Sequence, residues 1–294
     1  MFSFFIIYMN KEEYEKRKIA LITERNRIYN KIKNMVISIS SKRNYIANVN
    51  TWFHSEINKL NEMMKNRVVD KYALLIGINY TGTKHELKGC VNDVNLIKDM
   101  LINRFQYKES NITILLNNQA NRENILNKFK ELFTNSKEND KLFFSFSGHG
   151  YLLHDFLHNN STANDDVIIS FDMKTVSNKE LSNIMYDYMK DECSLFMLYD
   201  SCHSGGLFES LKNDKKREIS FLSGCQKNQK SLDVYFNDKY NGVTTYYMVE
   251  ILSNNNDLSF NEFFDKMKMK FQSQRIKQIP QLMCNFDKDF IMKI

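Results

Sequence analysis

Leu195-Phe-Met-Leu-Tyr-Asp-Ser-Cys-His-Ser-Gly-Gly206 runs an apolar stretch straight into a small polar loop. Apolar residues bounded by polar ones read as a buried strand. A strand of this kind delivers its last side chains to the carboxyl edge of a sheet, where open α/β folds build their sites. Lys141-Leu-Phe-Phe-Ser-Phe-Ser-Gly-His-Gly150 has the same grammar. His149 and Cys202 therefore both sit just past strand ends, 53 residues apart. If the two strands are parallel neighbours, imidazole and thiol share one rim.

That pair has a chemistry. A thiol of pKa near ~8.5 is only a few per cent thiolate at neutral pH, and a neighbouring imidazole raises that fraction and later protonates a leaving amine. Gly148 and Gly150 allow a tight turn and a close approach of backbone to substrate. The N–H groups of Gly150 and Cys202 are then natural oxyanion donors. Either residue alone reads more simply, the Cys as a small core hydrophobe and the His as surface decoration; the two strand-end glycine motifs together favour catalysis. A Cys–His metal site needs more ligands at tight spacing than His154, His158 and His203 offer without a Cys-x-x-Cys.

The chain has 294 residues, 43% of them hydrophobic, and a net charge of +6. This suits one large domain with an extension. The basic residues are scattered, so no nucleic-acid partner is expected. The five cysteines (Cys90, Cys193, Cys202, Cys225 and Cys284) are odd in number and irregular in spacing, which argues against a disulfide framework and for a reducing, cytoplasmic setting. Met1-Phe-Ser-Phe-Phe-Ile-Ile-Tyr-Met9 is shorter than the ~20 apolar residues of a membrane span and lacks the flanks of a signal peptide; it is expected to pack, and no membrane partner is expected.

Residues 1–69 form an extension of different character, with helical apolar spacing from Ile19 to Val36 and again over 51–67. It reads as an appendage, or as a pro-region that covers the site or recruits a partner. From residue 70 the pattern changes. Lys71-Tyr-Ala-Leu-Leu-Ile-Gly-Ile-Asn-Tyr80 is a strand covered on both faces. A helix follows over 91–105, a strand over 112–116, a helix over 121–133 and then the His149 strand. The β-α-β-α-β order predicts a parallel sheet with covering helices. Residues 151–164 read as a polar loop, 177–190 as a helix, 219–222 as a strand, 243–252 and 260–271 as helices, and 281–284 as the last strand.

Four segments in order resemble the metacaspases, caspase-like cysteine peptidases: Lys88-Gly-Cys-Val-Asn-Asp93, Ser147-Gly-His-Gly150, Asp200-Ser-Cys-His-Ser-Gly205, and Phe221-Leu-Ser-Gly-Cys-Gln226 with Gln229 and Ser231. A His about 50 residues upstream of the Cys is also a caspase feature. The resemblance runs from about residue 70 to the end. It implies a caspase-like α/β fold with a central, mostly parallel six-stranded sheet flanked by helices. Residues 70–211 would be large-subunit-like and 218–294 small-subunit-like, with a basic connector at 212–217. His149 would be general base and acid, Cys202 the nucleophile, and His203 structural.

The resemblance also implies a substrate pocket of Asp93 and Asp200 supported by Ser147 and Cys90. Two carboxylates at the base of a half-buried pocket favour a cation, so protein or peptide substrates with Arg or Lys before the scissile bond are expected, and Asp is disfavoured. A plainer role for Asp93 is a charge at a helix amino terminus. The chemistry requires no cofactor. Many metacaspases respond to calcium; Asp165, Asp166 and Glu209 match ligand positions, but the acidic pair expected near 178 reads Asn178-Lys179, against a need for about 6–8 oxygen ligands. The connector's Lys212, Lys215, Lys216 and Arg217 suit self-cleavage. The expected protein is a monomer. Two other readings stay open, a catalytically silent caspase-like binding module and a peptide ligase using the same dyad.

Overall fold

The computed structural model describes residues 11–65, 69–152, 166–201, 214–224, 233–236, 238–292 and 294. The chain divides into two compact units, Met1–Val69 and Asp70–Ile294.

The first unit is a helical hairpin of α1 (Lys11–Asn34) and α2 (Ile39–Lys65). Among the described residues of this unit, Ile32 and Leu60 are the buried apolar ones. Tyr14 Oη donates to Asn61 Oδ1 at 2.8 Å, and the Arg25 guanidinium lies 4.3 Å over the Phe53 ring. Helix α2 begins twelve residues before the helix expected at 51. Ser38 explains the early start: its hydroxyl accepts the Ser41 N–H at 3.1 Å and satisfies a first-turn donor, after which packing on α1 carries the Asn-rich turns that propensity disfavours.

The second unit is built on β1 (Lys71–Gly77), α3 (Cys90–Asn103), β2 (Ile112–Leu116), α4 (Arg122–Thr134), β3 (Lys141–Ser147), β4 (Gly150–Leu152), β5 (Asp166–Ile169), β6 (Thr175–Ser177), α5 (Asn178–Tyr188), β7 (Ser194–Asp200), β8 (Glu218–Ser223), β9 (Asp233–Phe236), β10 (Lys239–Gly242), α6 (Val243–Asn254), α7 (Phe260–Ser273) and β11 (Gln281–Cys284). The main sheet has the order β2-β1-β3-β7-β8-β11; only β11 runs antiparallel. This is the expected six-stranded caspase-like sheet. Its strands are predominantly apolar because both faces are covered. Side chains alternate between the faces: Leu74, Phe144, Met197 and Phe221 join Phe129 and Phe133 of α4 and Leu181 and Met185 of α5, while Leu75, Phe143, Phe196 and Leu222 join Val94 and Ile97 of α3, Met248 of α6 and Phe263 and Met267 of α7. Each fully buried side chain of this size contributes about 1.5–3 kcal/mol.

Two smaller sheets were not foreseen as such. Strands β4, β5 and β6 form an antiparallel sheet that begins at Gly150, so Tyr151 and Leu152 are strand rather than loop. Strands β9 and β10 form a hairpin that turns through Asp238 at φ +62° and ends at Gly242. Its mixed residues, Asp-Val-Tyr-Phe and Lys-Tyr-Asn-Gly, show no clean alternation.

Candidate active site

Register sets the site. Ser147 lies opposite Gly77 on one side and opposite Asp200 on the other, so β1, β3 and β7 end at one level of the sheet. His149 follows the end of β3 by two residues, and Cys202 follows the end of β7 by two. Cys202 itself lies outside the described residues, as do Asp165, Glu209 and Lys212.

His149 is held from both its main chain and its ring. Its N–H donates to the Tyr80 hydroxyl at 3.1 Å, and that hydroxyl donates to the Ile169 carbonyl at 2.6 Å. The His149 carbonyl accepts the Ile169 N–H at 3.0 Å. Ring Nε2 lies 2.7 Å from the His85 carbonyl oxygen. A carbonyl only accepts, so Nε2 carries the hydrogen and Nδ1 holds the lone pair of the neutral ring. The Tyr80 and His149 rings pack with centroids 4.8 Å apart. Tyr80 is fully buried, in the left-handed region at φ +49°. Burial pushes its hydroxyl far above the ordinary tyrosine value, so it stays a neutral donor.

Opposed pairs in an antiparallel ladder alternate between bonded and non-bonded. His149 and Ile169 exchange a hydrogen bond, which makes Gly150 and Ile168 the non-bonded pair. The Gly150 N–H is thereby turned away from β5.

The two acidic residues expected in the pocket come together. Asp93, on the first turn of α3, is fully buried; its Oδ2 accepts the Ser147 hydroxyl at 2.6 Å and its Oδ1 the Gly242 N–H at 2.9 Å. Asp200, at the end of β7, accepts both the N–H and the hydroxyl of Thr245 on Oδ2, each at 2.9 Å. Gly242 is the N-cap residue of α6 and supplies no side-chain cap, so the Asp200 carboxylate takes that role from β7. The two carboxylates approach the same glycine: a Cβ on Gly242 would fall 2.2 Å from Asp200 Oδ2 and 3.0 Å from Asp93 Oδ2. Cys90 is buried at the start of α3, where its carbonyl crowds Gly77; a Cβ there would lie 2.5 Å from that oxygen. Gln278 donates to the Gly224 carbonyl, and to Thr244 Oγ1 at 2.9 Å, bracing the turn beside Asp200.

Tyr80, His85, Gly242 and Thr245 carried no signal of their own in the sequence. Tyr80 lies three residues past the end of β1, beyond the strand the sequence suggested it would close, and the others act through backbone atoms or a small hydroxyl.

Asp166 is buried at the start of β5, where its neighbour Val167 lies opposite Ser177, the residue before Asn178. Asn178 opens α5 and Lys179 follows, exposed. Among the described residues no three His, Cys, Asp or Glu side chains gather as a metal cluster; of the three candidate calcium ligands only Asp166 is among them.

The connector is unevenly held. Arg217 is tied to Asp214 Oδ2 at 3.3 Å and to the Tyr186 carbonyl at 3.3 Å. The Lys216 carbonyl accepts the Glu192 N–H at 2.8 Å, although its side chain is exposed. Lys215 is exposed.

A family model described as "Metacaspase, peptidase C14 domain" matches residues 71–211. Metacaspase-1 of Schizosaccharomyces pombe is 28% identical over 74% of this chain and 68% of that protein. Metacaspase-1 of Debaryomyces hansenii is 39% identical over 46% of this chain and 33% of its own length, and metacaspase-6 of Arabidopsis thaliana is 36% identical over 48% and 40%. The chain thus spans between a third and about two thirds of these relatives. A crystal structure of a Geobacter sulfurreducens protein superposes with a TM-score of 0.58 at 19% identity, covering 73% of this chain and 93% of that one, a likeness of fold. Residues 71–211, the stretch that carries His149 and the Cys202 loop, are thus similar to the peptidase domain of the metacaspases.

Proposed function

We propose that the chain is an endopeptidase that cuts after Arg or Lys, with Cys202 as nucleophile and His149 as general base and acid. The observation that carries this reading is the β3–β7 register, in which the strands preceding the two residues end opposite one another. The His85 carbonyl supports it by fixing the tautomer whose Nδ1 accepts a proton. The thiolate of Cys202 attacks the scissile carbonyl carbon, and the N–H groups of Gly150 and Cys202 hold the oxyanion. Protonated His149 gives its proton to the leaving amine, and a water activated by the same ring then hydrolyses the thioester.

Asp93 and Asp200 support the preference for a cation, since both carboxylates converge on Gly242. The reading routes no step through calcium, and a chelator is expected to change the rate by less than about twofold. Self-cleavage in the connector is proposed after Lys215 or Lys212, because Arg217 and the Lys216 carbonyl are already engaged.

The test is hydrolysis of fluorogenic peptides ending in Arg, Lys or Asp by the wild type and by Cys202→Ala. Arg and Lys peptides should be cut by the wild type alone. Cleavage after Asp would overturn the pocket assignment; equal rates for both proteins would overturn the nucleophile.

A further inference from the structure

The hairpin of α1 and α2 turns at Met35-Val-Ile-Ser-Ile39 and carries its apolar side chains outward. Val36 is 101% exposed, Ile39 72%, Met35 41% and Ile37 36%. The turn is well held. The Met35 N–H donates to the Ile32 carbonyl at 3.2 Å, the Lys42 N–H to the Ser38 carbonyl at 3.0 Å, and Lys42 Nζ to the Lys33 carbonyl at 2.9 Å. Single exposed apolar residues are ordinary; four clustered on one ordered projection mark an interaction site.

The charge around this tip is one-sided. From Arg25 to Ser55 the chain has Arg25, Arg27, Lys31, Lys33, Lys42 and Arg43 and no Asp or Glu. The carboxylates of the hairpin lie elsewhere, at Glu12, Glu13, Glu15 and Glu24 on α1 and at Glu56 and Glu62 on α2. An aliphatic point with a collar of cations matches an anionic lipid surface, whose headgroups attract the cations and whose acyl boundary takes the apolar side chains to a depth of about 5–10 Å. Nucleic acid asks for stacking rings and hydrogen-bond donors at the point of contact, and this tip presents Val, Ile and Met.

We propose that the α1–α2 tip docks on an anionic membrane surface, with Val36 and Ile39 entering the headgroup boundary and Lys31, Lys33, Lys42 and Arg43 engaging lipid phosphates. No helix among the described residues is long and apolar enough to cross a membrane, so the contact is with one leaflet. The expectation of no membrane partner rested on the lack of a spanning run, which this mode does not use. The inference is independent of the peptidase reading.

The experiment is flotation of the full chain with vesicles of phosphatidylcholine containing about one third phosphatidylserine, beside vesicles of phosphatidylcholine alone. Wild type should float with the anionic vesicles only, and less at high salt. The double variants Val36→Asp/Ile39→Asp and Lys31→Glu/Lys33→Glu should each bind at least about tenfold more weakly. Both should keep the wild-type circular dichroism and the wild-type hydrolysis of soluble peptides. The proposal is overturned by folded wild type that fails to float, or by undiminished flotation of Val36→Asp/Ile39→Asp. It is equally overturned if, without vesicles, that variant abolishes a wild-type dimer, or if the wild type is captured by RNA in place of vesicles.

Discussion

The hydroxyl of Tyr80 stands between the His149 N–H and the Ile169 carbonyl, two groups that the small antiparallel sheet would otherwise pair with each other. One phenol thus links the segment after β1 to His149, the proposed general base. Tyr80→Phe removes the donor and the acceptor while keeping the ring, and leaves two backbone groups unpaired in a buried setting. Unfolding in urea should show a loss of about 1–3 kcal/mol. On an Arg peptide kcat should fall about tenfold while KM stays near the wild-type value, the signature of a displaced base rather than a damaged pocket. Asp172 offers a second test. Burial by itself raises its carboxyl, but the hydrogen bonds from Ser170 Oγ, the Arg122 N–H and Lys174 outweigh this and hold it at about 2. A depressed carboxylate stabilises the fold above its unfolded pKa near ~3.9, and that contribution fades as pH falls toward about 2. Asp172→Asn should therefore be less stable than wild type at neutral pH, and thermal melts of the two should converge between about pH 4 and pH 2.

At the scale of elements, the first turn of α6 holds the acidic pair. It receives Asp200 on Thr245, and the Gly242 N–H just before it reaches Asp93. Thr245→Val deletes one donor and keeps the other, for an expected loss of about 1–2 kcal/mol and a raised KM for Arg and Lys peptides. Gly242→Ala places a methyl against the Asp200 carboxylate and should cost about 1–3 kcal/mol and raise KM further; a KM equal to wild type in both variants would detach these carboxylates from substrate binding. This layer was the least legible from the chain alone. The sheet could be read because Leu195–Leu198 is an unbroken apolar run and Leu142–Phe146 is apolar but for Ser145, as a doubly covered strand explains. His149 could be placed because it sits just past the end of such a strand, while Cys202 lies outside the described residues. The Thr245 hydroxyl and the Gly242 N–H have no periodicity and no unusual chemistry, and they matter only through a fold that joins residues 149 and 45 positions apart. Helix α2 was half legible for a related reason, since its cap at Ser38 sits among other serines and its Asn-rich first turns depend on packing.

At the scale of the whole molecule, the connector divides the sequence and leaves the sheet undivided. Strand β8 lies after residues 212–217 yet pairs in parallel with β7 from Ser194 opposite Glu218 to Tyr199 opposite Ser223, and β11 continues the sheet beyond it. A chain cut after Lys215 or Lys212 should elute from a sizing column as one species of full-length mass while denaturing electrophoresis shows two fragments, and Cys202→Ala should stay whole. Separate elution of the fragments would mean that side-by-side strand pairing and the α3–α6 packing do not hold the pieces. The same arrangement has a consequence for how the protein is made. A ribosome releases β1, β2, β3 and β7 well before the hairpin that ends at Gly242, and domains gather structure from the amino terminus as they emerge. Until Gly242 and Thr245 follow, Asp93 and Asp200 lack the backbone and hydroxyl donors that set them in place. On the proposed roles, Cys202 is translated before the residues that set Asp93 and Asp200, so a growing chain would carry a nucleophile before it has a finished means of choosing what to cut.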